Sequence, residues 1–142
     1  MFLKKPYFGN WPLGDKFGMR FHPILKIDKM HNGQDIKMPT GAKLYAPMNG
    51  MAYIHEDATS GKYVIINSVT EQANRVQFIF CHLSEFLVKD GQSVNEWQEI
   101  GLSGSTGMST GQHCHMAVKI WDAKKQEYFY DDPLKYFNFG AF

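Results

Sequence analysis

The chain has 142 residues, 44% of them hydrophobic and 20% charged, and a formal net charge of +1. That is the length of one domain, read here as residues 1–142, able to bury roughly two-thirds of its unfolded surface. No basic excess points to nucleic acid, and no apolar run reaches the roughly 20 residues that a membrane-spanning helix needs.

The opening Met1-Phe2-Leu3-Lys4-Lys5-Pro6-Tyr7 carries two lysines with no apolar stretch behind them, so it does not read as a secretory signal peptide. The chain then reaches its place of action by another route or is cut from a longer precursor. His31 and Asp35 have the spacing of one helix face, but Asn32-Gly33 between them argues for a turn feeding a strand. Strand-like runs follow from Lys43 to Ala46, Met51 to His55, Tyr63 to Asn67 and Arg75 to His82. Ser84 is expected to cap a helical turn through Val88 that Gly91 stops. The run from His113 to Ile120 predicts another strand. Its even positions, Cys114, Met116, Val118 and Ile120, are uniformly apolar, while its odd positions carry His113, His115, Ala117 and Lys119. One face belongs to the core and the other opens to a groove. Asp132-Pro133 opens a last helical turn through Tyr136. Thirteen glycines and six prolines, scattered rather than clustered, mark many turns, so the fold class is mostly β with few short helices.

Four of the six histidines and one carboxylate fall in three short clusters: His31 with Asp35, His82, and His113 with His115. Imidazole nitrogens and a carboxylate oxygen are the ligand chemistry of catalytic zinc, which takes three protein ligands and keeps one position open. Five candidates for three ligand positions leave two histidines over for moving protons, as a metal-assisted hydrolase requires. Spacing alone does not say which three coordinate. His22 and His55 read as ordinary surface or core histidines.

Several segments resemble the lysostaphin-type (LytM-type) zinc endopeptidases, in that family's order and over about residues 17–137. They are Phe17-Gly18-Met19-Arg20-Phe21-His22-Pro23, the His-x-Gly-x-Asp of His31 to Asp35, Pro39-Thr40-Gly41 with Ala46, His82-Leu83, Ile100 to Gly107, Ser109-Thr110-Gly111 and His113-x-His115. The resemblance implies an antiparallel sheet with an open groove, one zinc ion per chain, and His31, Asp35 and His115 as its ligands. It matches His113 and His82 to the acid–base pair; His113 is taken as the base and His82 as the group that stabilises the intermediate, an order the residues leave open. Tyr63 resembles a groove residue that touches the intermediate, with a core strand aromatic as the alternative. Arg20 is a substrate contact or an exposed cation.

Cys81 and Cys114 each sit beside a site histidine, and strand alternation predicts that both point away from the site into the core. A thiolate ligand or nucleophile is the alternative reading, and a disulfide between them requires adjacent strands. Gly107-Met108-Ser109-Thr110-Gly111 fits a serine nucleophile elbow, but an alternating strand follows it where that motif needs a helix. The glycines from Gly101 to Gly111 lack the Gly-Lys-Ser/Thr ending of a phosphate loop and are expected to hold tight turns beside the site. Trp97 stands where the family often has glycine, and Gln112, Cys114 and Met116 replace its common proline, leucine and phenylalanine. Ala117 replaces a frequent acidic residue. These departures bear on groove shape and substrate preference.

The expected function is a zinc-dependent endopeptidase cutting peptide bonds of bacterial peptidoglycan, acting on the cell wall as a monomer, without nucleic-acid or membrane partners. A phage endolysin or virion-associated lysin fits a small chain without an export signal. A bacterial wall-remodelling enzyme, a catalytically inactive activator of other hydrolases and a cysteine peptidase are the rivals.

Overall fold

The computed structural model describes residues 3–22, 26–109 and 111–140. Thirteen strands run in chain order: β1 Leu3–Lys4, β2 Gly18–His22, β3 Ile27–His31, β4 Gln34–Ile36, β5 Lys43–Tyr45, β6 Gly50–Asp57, β7 Gly61–Val69, β8 Arg75–Phe86, β9 Gln92–Val94, β10 Glu99–Ser103, β11 Cys114–Asp122, β12 Glu127–Asp131 and β13 Phe137–Asn138. The described helix is one 3-10 turn, Pro133–Lys135, with Asp132 as its N-cap. Nine strands form one sheet in the order β12-β11-β8-β7-β6-β9, with β4 on β11 and β10 joining β5 to β8. Every pairing in that sheet is antiparallel. The β1–β13 pair is parallel, and β2–β3 form a separate hairpin.

Period-two alternation builds the core. Val64 and Ile66 of β7, Phe78 and Phe80 of β8, and Met116 and Val118 of β11 turn to one face, where Ile36, Leu44, Ile100, Tyr7 and Phe137 complete a single cluster. Each such side chain contributes about 1.5–3 kcal/mol when removed from water. The opposite face carries Tyr63, Ile65 and Asn67 on β7, Gln77, Ile79 and Cys81 on β8, and His115, Ala117 and Lys119 on β11. This face floors the groove.

Alternation fails where β7 meets β8 beside the site. Lys62 pairs with Leu83 and Val64 with Phe80, so β8 spends one more residue than β7 over the same span. The extra residue makes a bulge at Cys81–His82. His82 sits in the left-handed region at φ 64°, and its N–H donates to the Ser60 carbonyl at 2.9 Å. Two corrections to the sequence reading follow from β8. Cys81 does not enter the main core: it is the Cα partner of His115 and packs with Ile79, Ala117, Tyr63 and Ile65 on the groove face. Cys114 does point into the core, and both thiols are free. The helical turn expected after Ser84 is also absent, because β8 continues to Phe86. Glu85 and Phe86 pair with Leu102 and Gly101 of β10, and the Ser84 hydroxyl donates to the Ser103 carbonyl at 2.9 Å.

Candidate active site

Strand pairing brings the clusters together. His115 of β11 and Asp35 of β4 are direct cross-strand partners, flanked by the buried Cys114–Ile36 and Met116–Gln34 pairs. His31 ends β3, and Asn32-Gly33 turns the chain into β4. That turn lies flat on β11. A Cβ on Gly33 would collide with the Met116 carbonyl oxygen and stand 2.8 Å from the His115 ring, so only glycine lets His31 and Asp35 approach His115 this closely.

One carboxylate oxygen is the hub. Asp35 Oδ1 lies 2.9 Å from His115 Nδ1, 3.4 Å from His31 Nε2 and 3.9 Å from His113 Nε2. Backbone carbonyls, which only accept, fix the ring tautomers around it. His31 Nδ1 donates to the Lys16 carbonyl at 2.8 Å, which turns Nε2 toward Asp35. His82 Nδ1 donates to the Thr106 carbonyl at 2.7 Å. His113 Nδ1 donates to the Gly111 carbonyl at 3.0 Å, with the Ser109 hydroxyl at 3.1 Å. The His82 and His113 rings are 4.8 Å apart, and His82 is 6.4 Å from His115. Thr106 is held against the start of β7 because Gly61, at φ 63°, offers no Cβ to collide with it.

The electrostatics follow from this packing. Burial pushes the Asp35 carboxyl upward, but hydrogen bonds from His115 and His31 outweigh it and hold the group well below the usual carboxylate range. The same bond to Asp35 raises His31 above its ordinary value. Burial lowers His82, so its imidazole stays neutral further into acid than a free one. Burial pushes the Cys81 thiol up to about 12 and raises Cys114 as well, which removes both from nucleophilic chemistry at neutral pH.

His31, Asp35 and His115 each offer one ligand atom, all within 4.8 Å of one another. Two imidazoles and a carboxylate, partly exposed on one side, suit a divalent metal that prefers nitrogen and oxygen donors. His82 and His113 stand beside this triplet. Tyr63 lines the same cavity as His115, and its ring stacks on His55 at 5.2 Å. Arg20 is different: it lies on the β2–β3 hairpin, and its guanidinium is ion-paired with Asp15. The side chain of His22 lies outside the described residues. Sequence reasoning missed the carbonyls of Lys16, Thr106 and Gly111, since any residue type supplies that acceptor. It also missed Gln34, a buried amide whose Nε2 donates to the carbonyls of Asp15 and Asp35 at 3.1 and 3.0 Å and so ties the 14–16 segment to β4.

Residues 29–128 match the family model of peptidase family M23. The peptidoglycan DD-endopeptidase ShyA of Vibrio cholerae is 37% identical over 121 residues, which cover 84% of this chain and 27% of that relative. The chain thus spans about a quarter of that protein's length. Its fold superposes on a zinc-containing peptidase from Vibrio cholerae with a TM-score of 0.76 and 28% identity, covering 90% of this chain and 38% of the other. The catalytic domain of the antimicrobial peptidase lysostaphin from Staphylococcus simulans gives 0.66 and 27%, covering 89% of this chain and 91% of that domain. A family match over more than half the chain, carried by a site of two histidines and an aspartate, leaves one assignment: the chain belongs to peptidase family M23.

Proposed function

We propose that the chain is a zinc-dependent endopeptidase that hydrolyses peptide bonds of bacterial peptidoglycan. The observation that carries this reading is the convergence of His31, Asp35 and His115 on one partly exposed point, with two further imidazoles beside it. His31 Nε2, His115 Nδ1 and an Asp35 carboxylate oxygen would hold the metal. A zinc ion held there would supply a Lewis acid that acidifies water and polarises the scissile carbonyl. His113 Nε2 takes the proton from the attacking water, because its Nδ1 hydrogen is committed to Gly111. His82, neutral and anchored by Thr106, turns its other nitrogen to the developing oxyanion or the leaving amine. Tyr63 contacts substrate in the groove, and Arg20 does so only by leaving Asp15.

In this reading residues 1–142 make up one catalytic unit that acts as a monomer on the cell wall, with His31, Asp35, His82, His113 and His115 assembled within the chain. The DD-endopeptidase relative supports a wall-remodelling enzyme over a phage lysin, and the retention of every candidate ligand argues against an inactive activator. Digestion of purified sacculi with zinc-loaded and chelated protein tests the proposal. Release of cross-link or stem fragments, identified by mass, is expected only with zinc; full activity without metal would refute it.

A further inference from the structure

Strand register arranges the groove floor in three rows. The first contains Cys81 and His115, with Tyr63 packed beside them; the second Ile65, Ile79 and Ala117; the third Asn67, Gln77 and Lys119, with Tyr130 beyond it on β12. One cavity touches all three rows, bounded by Tyr63 and His115 at one end and by Lys119 and Tyr130 at the other. The floor changes character along this path, from metal-ligating to apolar to cationic.

Among the described residues, no carboxylate pairs with the cations at this end. Lys119 Nζ sits 4.7 Å over the Tyr130 ring, and on the same face the Arg75 guanidinium sits 4.5 Å over Trp121. Neither makes an ion pair among the described residues. A ring face attracts a cation without using up its N–H donors, so these remain for a ligand. Asp57, the carboxylate that lines the same cavity, accepts from the amides of Thr59 and Ser60 at 3.0 and 2.6 Å and is committed to its turn.

We propose that this third row is a binding subsite for a carboxylate of the peptide substrate, anchored by Lys119. The inference rests on the endopeptidase reading above and narrows its substrate to peptides that carry a free carboxylate. Four residues of strand separate His115 from Lys119, roughly 13 Å between their Cα atoms. An extended peptide advances about 3.3–3.6 Å per residue, so the carboxylate lies within about four residues of the bond that is cut. The row of Ile65, Ile79 and Ala117 gives the residues between them an apolar floor.

The test compares cross-linked muropeptides bearing free carboxylates with the same muropeptides amidated. The native enzyme should prefer the acid about tenfold in kcat/KM, mostly through KM, as expected for one partly exposed charge-assisted contact. Lys119→Met should abolish that preference with zinc content unchanged, Lys119→Glu should invert it, and Lys119→Arg should restore it. Calorimetric binding of an alanine-containing acidic tetrapeptide and its amide to native protein and Lys119→Met reads the subsite without turnover. Binding of the acid alone, lost in Lys119→Met, supports the subsite even if neither muropeptide is cut, a result that would overturn only the proposed function. Equal binding of acid and amide, or an acid preference that survives Lys119→Met, overturns the subsite.

Discussion

Around Asp35, the roles proposed for the imidazoles follow from how closely each approaches the carboxylate. His31 and His115 point a nitrogen at the same carboxylate oxygen within 3.4 Å, while His113 and His82 are anchored to loop carbonyls and stand alongside. Alanine at position 31, 35 or 115 should therefore lower zinc content together with activity. Alanine at 82 or 113 should keep near-stoichiometric zinc and lose about 10²–10⁴ in turnover, the span of a positioned acid–base group. Elemental analysis beside kcat decides it, and His113→Ala losing zinc while His115→Ala keeps it would reverse the assignment. The pH dependence has a sign of its own. His31 is raised in the folded, metal-free protein, so its contribution to stability is present below about pH 6.5 and lost as pH rises through its folded pKa. Metal binding needs the same imidazole deprotonated. Thermal scans across this range should show the metal-free form losing stability with rising pH and the zinc form gaining it. The acid limb of activity should therefore track zinc release measured in parallel.

Strand by strand, the sequence is legible where alternation is regular and misleading where it breaks. The apolar even positions of β11 predict its buried face, and all five strand-like runs exist with shifted ends. His82 lies on β8 and His115 on β11, within those runs, whereas His31 and Asp35 come from β3 and β4, which periodicity does not mark and only the motif singles out. The bulge in β8 has no marker in Phe80-Cys81-His82-Leu83: His82 adopts φ 64° because Ser60 and Thr106 hold it there, a tertiary cause invisible to local propensity. Alternation therefore assigns Cys81 to the wrong side. The helical turn after Ser84 fails for a related reason, since β10 satisfies that backbone instead. The hairpin of β2 and β3 pairs outside the main sheet, and its Met19, Phe21 and Ile27 are exposed, so no buried stripe announces it. Cys81, on the groove face yet with its thiol near 12, gives a direct check. Brief alkylation of native protein at pH 7 should leave turnover intact, whereas denatured protein should take up two labels. Cys81→Ala should cost about 1–2 kcal/mol of packing and keep zinc. Inactivation on labelling of the folded protein would revive a thiol mechanism.

For the molecule as a whole, the core and the site lie on opposite faces of the same strands, and this predicts how the protein behaves without metal. Ile36 and Cys114 are fully buried partners, and the adjacent Asp35 and His115 pair is positioned by the register they lock. The main cluster, from Tyr7 to Phe137, contains none of the five site residues. Folding free energy therefore comes from apolar burial, in contrast to small zinc domains that unfold when stripped. Zinc at about a thousandfold its Kd would add roughly 4 kcal/mol. For a chain of 142 residues each kcal/mol moves Tm by about 4 °C. Chelation should thus abolish turnover and lower Tm by roughly 10–20 °C, while far-ultraviolet circular dichroism at 25 °C keeps its strand signal. Added zinc should restore activity at about one ion per chain. Loss of the strand signal on chelation would mean that the ligands, rather than the core behind them, hold β4 against β11.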